Sequence, residues 1–104
     1  MGYWVYILRC ADQTLYSGAT TDLSRRLQEH NLGKGSKYTR SRLPVKFVQV
    51  WQVETWSHAL RLEAGLKKCS KVLKEKFIRE PNLIKEWAIQ AGYDFIVEVA
   101  YFSD

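Results

Sequence analysis

The stretch "YWVYILRCADQTLYSGATTDLSRRLQEHN", residues 3–31, decides the fold. Tyr3 to Cys10 is apolar at almost every position and rich in β-branched and aromatic side chains; only Arg9 breaks the run. A run with no polar face reads as a strand covered on both sides. Ala11-Asp12-Gln13-Thr14 is a turn, and Leu15 to Thr20 supplies a second strand, so the chain opens as a hairpin. Opposed residue numbers in a hairpin have a constant sum, and side chains alternate between faces. Tyr6 and Tyr16 therefore share a face only if that sum is even, which requires an odd-length connection or a bulge. Gly18 inside a strand pattern marks either a bulge or close approach by another backbone or a ligand.

Thr21 or Asp22 can cap the helix that follows, which runs to about Leu32 and stops at Gly33. On a wheel of about 100° per residue with Leu23 at zero, Leu27 falls near +40°, His30 near −20°, Arg26 near −60° and Arg25 near 200°. The two neighbouring arginines are thus inequivalent. Arg25 points to solvent, whereas Arg26 borders the apolar stripe with His30 one turn on. An arginine at such a border either snorkels or faces an anion beside the sheet. His30 is either a hydrogen-bonded boundary residue or part of the same site.

Beyond the helix, residues 33–43 form a polar, basic loop, followed by Pro44 and a strand over 45–53. That strand places Val45, Phe47, Gln49 and Trp51 on one face and Lys46, Val48, Val50 and Gln52 on the other. Ser57 can cap a helix over about 58–68, and Ser70 one over about 71–80. After Pro81 the helical pattern restarts from Asn82 to Ala91 and stops at Gly92; residues 94–102 read as a late strand. The fold class is α/β (α+β): a small three-stranded, mostly antiparallel sheet flanked by helices, β-β-α-β-α-α, with an extra C-terminal α-β tail. One domain over 1–104 suits the length, with its core at about 3–80 and an extension at 81–104.

The 16 Lys and Arg exceed the 11 Asp and Glu, a net charge of +5, which points to an anionic partner or to solubility alone. Two cysteines, Cys10 and Cys69, make neither a disulfide framework nor a zinc site. No signal-peptide pattern or membrane span is visible, and the expectation is a soluble cytoplasmic protein without a membrane partner. Lys34, Lys37, Arg40, Arg42 and Lys46, with Tyr38 interleaved, make one basic cluster; Lys67, Lys68, Lys71, Lys74, Lys76 and Arg79 make another. Such runs are either solvated faces or nucleic-acid backbone contacts. Around Glu63, the positions i−4, i−3 and i+3 are Ala59, Leu60 and Leu66, and only Lys67 at i+4 is polar. Glu63 is therefore either half of an ordinary i,i+4 pair or a carboxylate able to hold Mg²⁺ beside a phosphate.

Taken together, "WVY" at 4–6, "YSG" at 16–18, "TTDLSRRLQEHN" at 20–31, "GKGSKYTRSRLPV" at 33–45 and "ALRLEAGLKK" at 59–68 resemble the GIY-YIG nuclease superfamily, in its small single-domain YhbQ-like branch. The resemblance covers about residues 3–80. It implies a divalent-metal-dependent endonuclease acting on phosphodiester bonds of DNA, structure-selective, in repair or recombination. Tyr6, Tyr16, Arg26, His30 and Glu63 would be catalytic, with Glu63 also holding one Mg²⁺ or Mn²⁺. Tyr6 or His30 would order or deprotonate the water, and Tyr16 would hold the phosphate or its water. Gly18, Lys34, Lys37, Tyr38, Arg40, Arg42, Lys67 and Lys71 would contact nucleic acid, with DNA ahead of RNA. The first motif departs from the pattern in lacking its glycine and isoleucine, and Ala19 stands where some members carry lysine. Many nucleases of the superfamily also carry an asparagine 12–15 residues beyond the glutamate, a window that here holds Glu75 to Ile78. That departure keeps open an alternative, a nucleic-acid-binding module with little catalysis. A third reading is a protein-interaction domain using Trp51, Trp56 or Trp87.

Overall fold

The hairpin is present in the computed structural model, which describes residues 2–102. Strands β1 (Tyr3–Arg9) and β2 (Leu15–Thr20) pair antiparallel, with Tyr6 opposite Gly18 and Leu8 opposite Tyr16. The residue sum is even, so the two tyrosines share a face. The connection is odd, as that parity requires. Cys10 N–H donates to the Thr14 carbonyl at 2.9 Å, so Thr14 pairs with Cys10 and the turn is the three residues Ala11, Asp12 and Gln13, one fewer than the Ala11–Thr14 turn expected from the sequence. Gln13 takes the left-handed position of this turn, at φ 70°.

The remaining elements are α1 (Leu23–Asn31), α2 (Lys37–Arg40), β3 (Lys46–Val53), α3 (Trp56–Lys68), α4 (Lys71–Arg79), α5 (Leu83–Gln90) and β4 (Glu98–Ala100). The sheet is fully antiparallel in the order β2-β1-β3-β4. It has four strands rather than the three expected of the core, because the late strand shortens to Glu98–Ala100 and pairs with β3. β1 is central, and Val5, Tyr6, Ile7 and Leu8 have no solvent exposure, which explains why its sequence lacks a polar face. Alternation divides these four residues between two cores. Val5 and Ile7 join Trp51, Val53, Leu62, Leu66 and Phe77. Tyr6 and Leu8 join Val45 and Val50, with Leu23 and Leu27 of α1 packed against them.

The expected alternation of β3 fails at one place. Ile7 pairs with Gln49 but Leu8 with Phe47, so Val48 is an extra residue in the ladder. Such a bulge shifts the phase of the strand. Val45 and Phe47 consequently join Val50 beside Tyr6, while Trp51 lies in the opposite core. Asn31, at the end of α1, fixes this region. Its amide donates to the Val45 carbonyl at 3.0 Å and its side-chain oxygen accepts from Val45 N–H at 2.8 Å.

The starts of α1 to α4 follow side-chain caps, whereas Asn82 before α5 makes no such bond. Asp22 accepts from Arg25 N–H at 3.1 Å and Ser70 from Leu73 N–H at 3.1 Å, as the sequence implied. Helix α3 instead begins two residues before the expected start. Thr55, not Ser57, is in extended conformation and accepts from His58 N–H at 3.0 Å. Gly33, at φ 79°, follows α1.

The chain after Pro81 completes the larger core. Ile84, Ala88 and Val97 are buried in it, and Trp51 Nε1 donates to the Pro81 carbonyl at 3.1 Å. Residue 1 and residues 103–104 of the expected 1–104 unit lie outside the described residues. The interaction-domain reading loses its surface here. Trp51 is wholly buried and Trp87 packs against the larger core, which leaves Trp56 alone substantially exposed. No helix among the described residues is long and apolar enough to cross a membrane.

Candidate active site

Four of the five residues singled out for catalysis converge where α1 crosses the Tyr6–Tyr16 face of the sheet. Tyr6 supplies the floor. Its hydroxyl lies 2.9 Å from His30 Nε2, and Arg26 Nε donates to it at 3.4 Å. Gly18, opposite Tyr6, makes this placement feasible. A Cβ at residue 18 would overlap the Tyr6 hydroxyl and lie 2.5 Å from Cζ. The close approach read from Gly18 is thus Tyr6 itself. Gly18→Ala must displace a fully buried ring, an overpacking that costs about 1–3 kcal/mol. Urea denaturation will read this as a lower midpoint at unchanged slope; an unchanged midpoint would show that Tyr6 can move at no cost.

His30 has no exposed surface. Burial, with the Arg26 charge adding to it, pushes its pKa down to about 4, so the ring is neutral at pH 7. Burial likewise raises the Tyr6 phenol to about 12, and outweighs the hydrogen bond and charge of Arg26. Tyr6 and His30 have no solvent exposure and are hydrogen-bonded to protein groups in this conformation. Tyr6 contacts Arg26 directly, and His30 contacts Tyr6.

Arg26 is the solvent-reaching member of the cluster, with 27% of its side chain exposed against 57% for Arg25. The inequivalence read from the helical wheel is therefore real. Nη1 donates to Glu29 at 3.1 Å and Nη2 to the Gly35 carbonyl at 3.1 Å. A guanidinium has five N–H groups, so one remains on each Nη for an anion. Tyr16 borders the same space. Its ring meets His30 edge-on at 5.7 Å, and its hydroxyl makes no hydrogen bond among the described residues.

Glu63 approaches from α3. Its carboxylate is 3.5 Å from Lys67 Nζ, with 21% of the side chain exposed. The ordinary i,i+4 pair is therefore formed. The Glu63 charge is also near enough to Tyr6 to contribute to raising its pKa, and Lys67 Nζ lies 5.2 Å from the Tyr16 ring centre. Leu60 is 44% exposed, so the apolar arc around Glu63 is more open than its sequence neighbours implied.

The basic loop divides into two kinds of residue. Lys34, Lys37 and Arg40 are exposed and make no ion pair among the described residues. Tyr38 and Arg42 have protein partners. The Tyr38 ring stacks on Tyr16 at 5.8 Å and 21°, and the Arg42 guanidinium covers Tyr38 at 3.9 Å. Arg42 also donates to Asp12 at 3.0 Å and to the Tyr38 carbonyl at 2.8 Å. These contacts tie the loop to the hairpin through Tyr16 and Asp12. On α3 and α4, Lys67 and Lys71 are exposed.

Sequence reasoning missed Ser36 and Thr39, and it read Gly35 as letting the loop backbone approach a strand, whereas the group packed on it is the His30 ring. A Cβ at Gly35 would overlap His30 Nδ1. Thr39 is fully buried, and its Oγ1 lies 3.0 Å from His30 Nδ1 and 2.9 Å from Ser36 Oγ. The available signal was Ser36-Lys37-Tyr38-Thr39, a serine three residues before a threonine, which caps the unforeseen helix α2. Also unforeseen was the pair of Arg9 with Glu75, joined through both guanidinium Nη atoms at 2.8 and 2.9 Å. This bond pulls the Glu75 carboxyl below its ordinary pKa and raises that of Arg9.

A model of the GIY-YIG catalytic domain matches residues 2–76, which include Tyr6, Tyr16, Arg26, His30 and Glu63. The chain belongs to the GIY-YIG family. A UPF0213 protein of Syntrophus aciditrophicus is 50% identical over 78 residues, 74% of this chain and 90% of that one. Another, of Lactococcus lactis subsp. cremoris, is 48% identical over 85 residues, 81% of this chain and 86% of that one. The solution NMR structure of the protein EF2693 from E. faecalis matches with a TM-score of 0.55 and 39% identity, covering 80% of this chain and 88% of that one. Membership of the GIY-YIG family supports a nuclease-like function acting on nucleic acid.

Proposed function

We propose that the protein is a divalent-metal-dependent endonuclease that hydrolyses phosphodiester bonds in DNA. The observation that carries this reading is the anchoring of Arg26. Tyr6 and Gly35 fix its guanidinium from two sides while an N–H on each Nη remains to fork onto phosphate oxygens. In that position Arg26 neutralises charge that grows on the nonbridging oxygens in the transition state. Tyr16 offers its hydroxyl to the phosphate or to the attacking water. Tyr6 and His30 keep Arg26 in place, and with the Tyr6 pKa near 12 that phenol acts through hydrogen bonds at neutral pH.

The donor set fits a hard cation. Glu63 is a partly exposed carboxylate, and the described residues contain no group of three or more His, Cys, Asp or Glu that could hold a metal. One carboxylate, waters and substrate oxygens suit Mg²⁺ or Mn²⁺ and do not suit zinc. Such an ion would polarise the phosphate and stabilise the leaving oxygen. Lys34, Lys37 and Arg40 on one side and Lys67 and Lys71 on the other supply backbone contacts, which favour substrate shape over sequence. That choice fits branched or single-stranded intermediates of repair and recombination.

A second reading, a DNA-binding module with little catalysis, is favoured by Glu75. It stands in the window where many nucleases of the superfamily carry asparagine, and Arg9 holds both of its oxygens. One experiment separates the readings: nicking of duplex, branched and single-stranded DNA with Mg²⁺, Mn²⁺ or chelator, alongside binding at several salt concentrations. Cleavage that needs the metal is expected. Three to five phosphate contacts give a log–log salt slope of roughly −3 to −4.5 on duplex DNA. The expected slope without cleavage would favour the module, and a flat salt dependence would mean that the basic residues are only solvated.

A further inference from the structure

We infer that Thr39 is a positioning residue that fixes the tautomer of His30 and so directs the Tyr6 hydroxyl. The inference rests on the proposed site but is argued from proton bookkeeping within the protein. Arg26 carries donors only, so its Nε–H must donate to the Tyr6 oxygen, 3.4 Å away. Tyr6 is fully buried, and a buried phenol needs an acceptor for its own proton. His30 Nε2, at 2.9 Å, is the acceptor within reach among the described residues. Nε2 must therefore be unprotonated. The neutral imidazole then carries its proton on Nδ1, which donates to Thr39 Oγ1 at 3.0 Å.

Thr39 can accept because its own proton has other places to go. Ser36 Oγ lies at 2.9 Å and the Ser36 carbonyl at 3.4 Å. The opposite tautomer would aim His30 Nε2–H and Arg26 Nε–H together at the Tyr6 oxygen and leave the phenol proton orphaned. The cost of such a buried donor is about 1–3 kcal/mol. Helix α2 thus sets the polarity of a buried chain, Tyr6 to His30 to Thr39 to Ser36. The same loop holds Arg26 through the Gly35 carbonyl. A four-residue helix on the basic loop is in this way wired to the residues that aim the guanidinium.

The test is two-bond ¹H–¹⁵N NMR of the imidazoles, with the His30 signals assigned by comparison with His58→Gln. The wild-type protein is expected to show the Nδ1–H form. Thr39→Val keeps the shape and removes the acceptor, so the Nε2–H form should appear at a substantial fraction. Thr39→Ser should restore the wild-type pattern. With Mg²⁺ and DNA, Thr39→Val should lower kcat tenfold or more while DNA affinity stays within about twofold, and Thr39→Ser should remain close to wild type. A wild-type His30 in the Nε2–H form would overturn the inference, as would Thr39→Val with unaltered tautomer and kcat. If Thr39→Val does not fold, the wild-type tautomer and Thr39→Ser decide. Absence of cleavage in the wild type counts against the nuclease reading alone, because the tautomer is read without substrate or metal.

Discussion

Arg26→Ala and Glu63→Ala are expected to stay folded, bind DNA within several-fold of wild type, and lose cleavage by about 10²–10³, or roughly 3–4 kcal/mol of transition-state stabilisation. The split between binding and chemistry follows from where the charges lie. Lys34, Lys37, Arg40 and Lys71 are exposed and are not among the groups that hold the guanidinium, so ground-state affinity for the DNA backbone survives the loss of one arginine. Arg26 is held by Tyr6 and Gly35 in one orientation and acts on charge that appears only as the bond breaks. Removing Glu63 also releases Lys67 from its 3.5 Å pair, so metal-free binding of Glu63→Ala should be equal to wild type or slightly tighter. Arg25→Ala is the matched control. It lies on the same helix, removes the same charge, and sits on the solvent face with 57% of its side chain exposed. Cleavage by purified Arg26→Ala or Glu63→Ala at the wild-type rate would refute the catalytic assignment. Equal losses for Arg25→Ala and Arg26→Ala would mean that total charge, not geometry, is what matters.

The features legible in the sequence are those governed by local periodicity. The parity rule states the condition for Tyr6 and Tyr16 to share a face, an odd connection, because alternation in a hairpin depends only on the connection; that Thr14 pairs with Cys10 and leaves three residues in the turn is visible only in the structure. The wheel of α1 separated Arg26 from Arg25 for the same reason. Helix ends at Asp22 and Ser70 were legible because a cap is a contact between residues three apart. Features that depend on what meets across the fold were hidden. The bulge at Val48 is a property of the β1–β3 pair and reverses the face of Phe47 without a mark in its own strand. Arg9 and Glu75 are 66 positions apart, and nothing near either names the other. Gly18 and Gly35 illustrate the boundary. Each glycine is visible as an anomaly, but only the structure shows that one admits Tyr6 and the other His30. For the site, the five proposed catalytic residues came from motif resemblance, while the burial of Tyr6 and His30 came from packing.

The second large effect is on stability against pH. His30 is wholly enclosed and hydrogen-bonded at both ring nitrogens, and its pKa falls from an ordinary 6.5 to about 4. The unfolded chain therefore takes up a proton that the folded chain resists. The sign follows from linkage: where the unfolded state binds more protons, stability rises with pH. The His30 contribution is complete above about pH 6.5, is lost progressively as pH falls toward 4, and is gone below that. A shift of this size corresponds to ~3 kcal/mol, a large part of the 5–15 kcal/mol typical of a domain. Asp12 and Glu75 behave differently. Hydrogen bonds from Thr14 and from Arg9, respectively, lower their carboxyl pKa values, so their contributions persist above the ordinary carboxyl range and are lost only as pH falls below it. Between pH 6.5 and about 5 these two carboxyl contributions stay constant, and the difference between the wild type and His30→Gln isolates the His30 contribution. Urea midpoints should fall steadily across that interval in the wild type and stay nearly level in His30→Gln. An NMR titration of the His30 ring gives an independent reading and does not depend on the variant folding. A wild-type His30 that titrates near 6.5, with flat urea midpoints, would mean that water reaches the ring and that Tyr6, His30 and Thr39 do not form a sealed chain.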